Sequence, residues 1–132
     1  TDLKVYKISI SDYFDSDNTV TAEAIEFSYA DQTDFTPRDF HDFDTEALIS
    51  YNNNLYIFTK NKELSSLGST NIYKLPKTPG SHIISQADHI NYKEPLTEAE
   101  LITGATYEKA TNKILLTGNV VNYSKVIISS FI

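Results

Sequence analysis

Three acids, Asp42, Asp44 and Glu46, stand directly in front of two alternating apolar runs in "HDFDTEALISYNNNLYIFTKN", His41 to Asn61. Carboxylates at the start of a strand suit a hard cation such as calcium, which takes oxygen ligands from several strands. The same carboxylates can instead bond backbone amides or Lys60 across the hairpin. Asp44 and Glu46 are therefore candidate ligand and metal residues, and Lys60 is a candidate ligand-binding residue as well as their competing partner. A second acidic group, "DYFDSDN", gathers Asp12, Asp15, Asp17 and Asn18. It opens like a calcium loop but lacks the glycine at the sixth position and the closing glutamate, so a solvated turn is the better reading. His41, His82 and His89 show no H-x-x-x-H spacing, and a zinc site needs the fold to gather them. Four glycines leave no material for a P-loop, a dinucleotide fingerprint or a nucleophile elbow.

These side chains need a scaffold, and 132 residues suffice for one ordinary domain. The apolar fraction of 40%, with nine Tyr and seven Phe, argues for a packed core. A formal charge of −7 with Arg38 as the sole arginine speaks against nucleic acid, which needs clustered cations to displace counterions. No run approaches the roughly 18 apolar residues of a membrane span. Absence of cysteine removes disulfides and thiolate metal sites and suits either side of a membrane. A chain that opens on Thr1 and contains no Met reads as one that has lost a leader or as a piece of something longer.

The periodicity is nearly all two-residue alternation, rich in Ile, Val, Tyr, Phe and Thr. It predicts nine strands, over Leu3–Ser9, Val20–Tyr29, Glu46–Tyr51, Leu55–Lys60, Asn71–Leu75, His82–Ile90, Leu101–Tyr107, Lys113–Gly118 and Lys125–Phe131. Asn52 to Asn54 and Lys109 to Asn112 read as turns, because Asn tolerates left-handed backbone. Asp31 to Asp44 reads as a long loop, and "EPLTEAELI" holds a short helix with Thr97 and Glu100 as a capping box. Tyr6, Tyr51, Tyr56, Tyr73, Tyr107 and Tyr123 fall mostly on strand positions, which favours packing over a sugar-stacking platform.

An internal repeat lies across these strands. "TEALISYNNNLYIFTKN" from Thr45 and "TGATYEKATNKILLTGN" from Thr103 align without a gap, with Thr45/Thr103, Ala47/Ala105, Asn54/Asn112, Thr59/Thr117 and Asn61/Asn119 identical. "VYKI" from Val5 also resembles "IYKL" from Ile72. The expected fold is all-β: antiparallel four-stranded meanders, a partial β-propeller of about two blades, with a β-sandwich as the alternative. Residues 1–44 then supply outer strands of a preceding blade and an acidic loop, 45–92 a complete blade, and 101–132 inner strands of a following one. In a propeller the inner strands begin near a channel, which would set Asp44 and Glu46 around one opening with Thr103 and Gly104. A closed ring needs more blades, so a second copy or further chain is expected to complete it.

"EFSYADQTDFTPRDFHDFDTEALISYNNNLYIFTKN", "TNIYKLPKTPG" and "LITGATYEKATNKILLTG", in that order, resemble a group of secreted propeller-like proteins of bacteria, frequent in Bacteroidetes. The resemblance implies a propeller repeat in an exported protein, secreted, surface-bound or periplasmic. The repeat, the acidic surface and the lack of a complete catalytic set lead to the expectation of a non-enzymatic binding or scaffolding module that takes protein or glycan at a propeller face. The position of Glu46 is also similar to that of the metal-binding glutamate of gluconolactonase-like propellers, which implies a metal-dependent lactonase or esterase as the alternative. A free-standing glycan-binding β-sandwich is the third reading.

Overall fold

The computed structural model describes residues 3–15, 19–92, 101–120 and 123–130, and from residue 119 onward the backbone alone. The described chain is all-β apart from one short helix. In chain order the elements are β1 (Leu3–Ile8), α1 (Ile10–Asp15), β2 (Ala22–Tyr29), β3 (Asp44–Tyr51), β4 (Asn54–Lys60), β5 (Ser69–Pro76), β6 (Gly80–Ile84), β7 (Gln86–Asn91), β8 (Leu101–Glu108), β9 (Lys113–Val120) and β10 (Tyr123–Ser130). They form three sheets, ordered β1-β2-β6, β3-β4-β5-β7 and β10-β9-β8.

The second sheet lies between the other two, and its central strands explain why. In β4, Leu55 and Ile57 join β2 residues Ile25, Phe27 and Tyr29 in one core with Tyr73, Leu75 and Ile84. Phe58, on the opposite face, joins Ala47, Ile49 and Ile72 in a second core with Ile102, Ile114 and Leu116 of the third sheet. A strand covered on both faces reads as a continuous apolar run, which is what "LYIF" is. Ile57, Phe58, Tyr73 and Leu75 are wholly buried, each worth about 1.5–3 kcal/mol relative to exposure.

Two of the expected elements change. The single strand expected over His82–Ile90 is two strands in two sheets. The chain leaves the second sheet after Pro76, and Gly80, at φ 122°, turns it into the first. β6 then pairs in parallel with β2, from Ile25/Gly80 to Tyr29/Ile84. After Ser85, β7 returns to pair antiparallel with β5. Composition did not mark the break, because neither Gly nor Pro falls between His82 and Ile90. The expected solvated turn at Asp12 is part of α1, with Ser9 at the capping position and the Tyr13 N–H donating to the Ser9 carbonyl at 3.1 Å. Asp17, Asn18 and the Thr97 capping box lie outside the described residues.

The repeat returns as a repeat of register. In the β3–β4 hairpin Ala47 pairs with Phe58 and Ile49 with Tyr56; in β8–β9 Ala105 pairs with Leu116 and Tyr107 with Ile114. Each hairpin carries a bulge close to that alanine, one repeat position apart: Glu46 is the extra residue in the first and Thr103 in the second. Asn52 and Asn112 take the left-handed conformation in the two turns, as Asn readily does. The two copies present the same face to each other: Phe58 and Leu116 share the second core, with Tyr56, Ala105 and Tyr107 packed against it. The rings of Tyr51 and Tyr107 meet at 4.8 Å.

Candidate functional site

The three acids each meet a partner on the strand opposite or the segment that follows it. The Lys60 ammonium donates to Glu46 at 3.1 Å and the Lys62 ammonium to Asp44 at 2.5 Å. Asp42 accepts the backbone N–H groups of Lys62 and Glu63, at 2.8 and 3.0 Å, through one oxygen. Acids and partners thus form a ladder that seals the open end of the β3–β4 hairpin. The geometry follows from local structure: the bulge inserts Glu46 as an extra residue, aiming it across at Lys60.

Beneath this ladder lies a buried polar network. Thr59 donates to Asn61 Oδ1 at 2.6 Å, and Asn61 Nδ2 donates to Ser69 Oγ at 3.0 Å. The Asn71 N–H donates to Thr59 Oγ1 at 3.1 Å. Buried polar groups must be partnered in this way or their desolvation is uncompensated. Thr59 and Asn61 are two of the five identities of the repeat, so the T-x-N pattern was the sequence signal for this network.

Thr103 and Gly104 sit at the bulge of β8, a strand packed against β3. Gly104 is where Glu46 falls in the repeat, and Gly118 is where Lys60 falls. A Cβ on Gly104 would meet Thr117 Oγ1 at 2.6 Å, and one on Gly118 would meet the Leu101 carbonyl at 2.8 Å. The second copy thus replaces the ion pair by close packing of the two glycines, Gly104 against the Thr117 side chain and Gly118 against the Leu101 backbone.

Among the described residues no three His, Cys, Asp or Glu side chains gather so as to hold a metal ion. The histidines lie in separate settings: His41 Nδ1 accepts the Phe43 N–H, His82 Nε2 contacts the Thr78 carbonyl, and His89 Nδ1 contacts Asn71 Oδ1. Of the tyrosines, Tyr73 is core, Tyr51, Tyr56 and Tyr107 surround the second core, and Tyr6 is exposed. The side chain of Tyr123 lies outside those described.

Two tyrosines anchor the two ends of the long loop. The Tyr29 hydroxyl is bonded to Thr45 Oγ1 at 2.5 Å, and that of Tyr73 donates to Asp31 at 2.8 Å. Burial pushes Tyr29 up to about 12, and burial followed by the bond to Asp31 pushes Tyr73 up as well. Both hydroxyls therefore stay protonated, and that of Tyr73 donates to the Asp31 carboxylate.

The loop itself, residues 31–43, forms a surface that spacing did not reveal. Arg38 lies between Asp34, at 3.5 Å, and Glu63, at 3.1 Å. The Thr36 backbone N–H, then its hydroxyl, hold the Asp34 carboxyl below its ordinary range. One concavity of about 530 Å³ is lined by Asp34, Phe35, Arg38 and His41 among others. A second, of about 600 Å³, lies between Arg38, Phe40, Lys62 and Leu64. Phe35, Phe40 and Leu64 are exposed, Leu64 at 89%. The available signal was two phenylalanines and the sole arginine in a loop with no strand to pack.

No protein-family model, curated protein or solved structure matches this chain. Among the described residues no helix is long and apolar enough to cross a membrane.

Proposed function

We propose that this chain is a non-enzymatic binding and scaffolding module whose recognition surface is the pole built by residues 31–43 and 62–65. The observation that carries the reading is the set of exposed Phe35, Phe40 and Leu64 around an arginine fixed by two acids. Exposed apolar groups rimmed by polar ones are the chemistry of a protein-docking site. The partner that suits it is a peptide segment placing an apolar side chain between Phe40 and Leu64 and polar groups against Arg38. Aliphatic Leu64 favours this over a glycan, which stacks on aromatic faces. A location outside the cytoplasm rests on the resemblance to exported propeller-like proteins. The facing of the two repeat copies favours sandwich layers over blades around a channel, since blades related by rotation stack front to back. A docking surface at this pole requires no channel.

The hydrolase reading requires Glu46 to leave Lys60 for a metal, and the ladder supports the scaffolding role instead. The test is selection from a displayed random-peptide library, followed by amide chemical-shift mapping of the bound peptide. Shifts at 31–43 and 62–65, with affinity lost about tenfold or more in Phe40→Ser, are expected for an interface anchor. Selected peptides that map elsewhere and bind Phe40→Ser unchanged would overturn the assignment.

A further inference from the structure

The outer face of the first sheet carries Lys4, Tyr6 and Ile8 from β1, Ala22, Ala24 and Glu26 from β2, and Ser81 and Ile83 from β6. Tyr6 is 64% exposed and Ile83 79%. Next to Ile8 along the chain, α1 adds exposed Ile10, Tyr13 and Phe14. The face sets Tyr6, Ile8, Ala22, Ala24 and Ile83 around the Lys4–Glu26 ion pair and the Ser81 hydroxyl, which donates to Glu26 at 2.9 Å.

The molecule contains its own precedent for covering such a face. "VYKI" in β1 corresponds to "IYKL" in β5, so Tyr6 and Ile8 stand where Tyr73 and Leu75 stand. Tyr73 and Leu75 are wholly buried beneath β2 of the first sheet. Val5 and Ile72 match likewise, each packed toward the next sheet in the stack. β1 therefore carries on its outer side the residues that in β5 are buried between layers.

We propose that the outer face of the first sheet is a self-association surface, taking the same face of a second copy of this chain across a two-fold axis. Two features make it self-complementary, as a two-fold contact requires. Tyr6 pairs across the ladder with Ala24, and Ile8 with Ala22, so each knob lies beside a hollow that can receive the knob of the other copy. Lys4 and Glu26 lie 3.0 Å apart on the face, so both charge signs are present and the Lys4 of one copy can meet the Glu26 of the other. Face-to-face packing of equivalent residues also occurs inside the chain, between the β3–β4 and β8–β9 copies.

Three strands about 4.8 Å apart and about 20 Å long give a contact below the roughly 800 Å² per partner of a tight complex. The dimer is accordingly weak and concentration-dependent.

The test is sedimentation velocity across a concentration series, from about 1 µM to about 1 mM, with the wild type and three variants. Tyr6→Lys places a charge on the knob, Ala24→Arg fills the hollow, and Ala110→Lys adds the same charge in the exposed β8–β9 turn. Expected is a wild type that moves from 14.9 kDa toward twice that mass. Ala110→Lys should follow it, while Tyr6→Lys and Ala24→Arg associate at least about tenfold more weakly. Two variants at separate strands guard against a folding defect in one, and thermal melts at low concentration check both. A wild type monomeric throughout, or variants that associate like it, overturns the proposal. So does a monomer whose Tyr6 face binds phosphatidylcholine vesicles, which assigns the face to lipid.

Discussion

The two hairpins β3–β4 and β8–β9 share the register of their apolar pairs and each carries a bulge at its open end, yet they close those ends by different physics. In the first, Glu46 and Lys60 form an ion pair at 3.1 Å. In the second, the equivalent positions are Gly104 and Gly118, where a side chain would meet Thr117 or the Leu101 backbone. What the repeat keeps is the apolar face, Ala47/Ala105 and Phe58/Leu116, and the threonine and asparagine that follow. A duplicated hairpin thus conserves what the shared core demands and frees what lies outside it. The acids that look like a metal mouth in sequence fall in the free part.

The largest effect expected from breaking this pair is in the core. Phe58→Ala should cost about 3–5 kcal/mol and Leu116→Ala about 2–5 kcal/mol, with Phe58 the more costly because it belongs to the central sheet. Urea denaturation of the two variants checks the ranking. Alkali should attack the first copy selectively, because its Thr45 is bonded to Tyr29. The Tyr29 value is raised to about 12 from 10, so its contribution is fully present below pH 10 and lost as pH rises from 10 to 12. About 3 kcal/mol is then lost, and Tyr29→Phe should flatten that part of the stability curve.

Smaller effects sharpen the comparison. Gly118→Ala sets a methyl group 2.8 Å from the Leu101 carbonyl and should cost about 1–3 kcal/mol. Gly104→Ala should cost less, since Thr117 can rotate its hydroxyl away. At the matching positions of the first copy, Glu46→Gln should cost under about 1 kcal/mol, as expected of a partly exposed pair. Chemical denaturation at low and high salt separates the last effect, which only salt should erase.

Much of the fold was legible. The Ile, Val, Tyr and Phe alternations located the strands, and the asparagines located both turns, because period and left-handed backbone are local properties. The break at Ser85 was not, because β6 joins β2 through contacts some 55 residues distant in the chain and nothing local opposes one longer strand. The short helix α1 was hidden by an acidic composition that suits a turn equally well. At the candidate site, sequence brought Asp44, Glu46 and Lys60 together but left ion pair and metal site open, since both use the same residues. The loop pole was missed because Phe35, Arg38, Phe40 and Leu64 obey no periodicity; only the fold sets residues 62–65 beside the loop.

The most direct test of the central claim, that Asp42, Asp44 and Glu46 form a structural ladder, is the melting temperature of wild type and Glu46→Gln with and without excess calcium. The ladder predicts that calcium moves neither by more than about 1 °C, because a site occupied at 100 times its Kd would add about 2.7 kcal/mol and several degrees. A rise of several degrees in the wild type, absent in Glu46→Gln, would contradict it and restore the cation site.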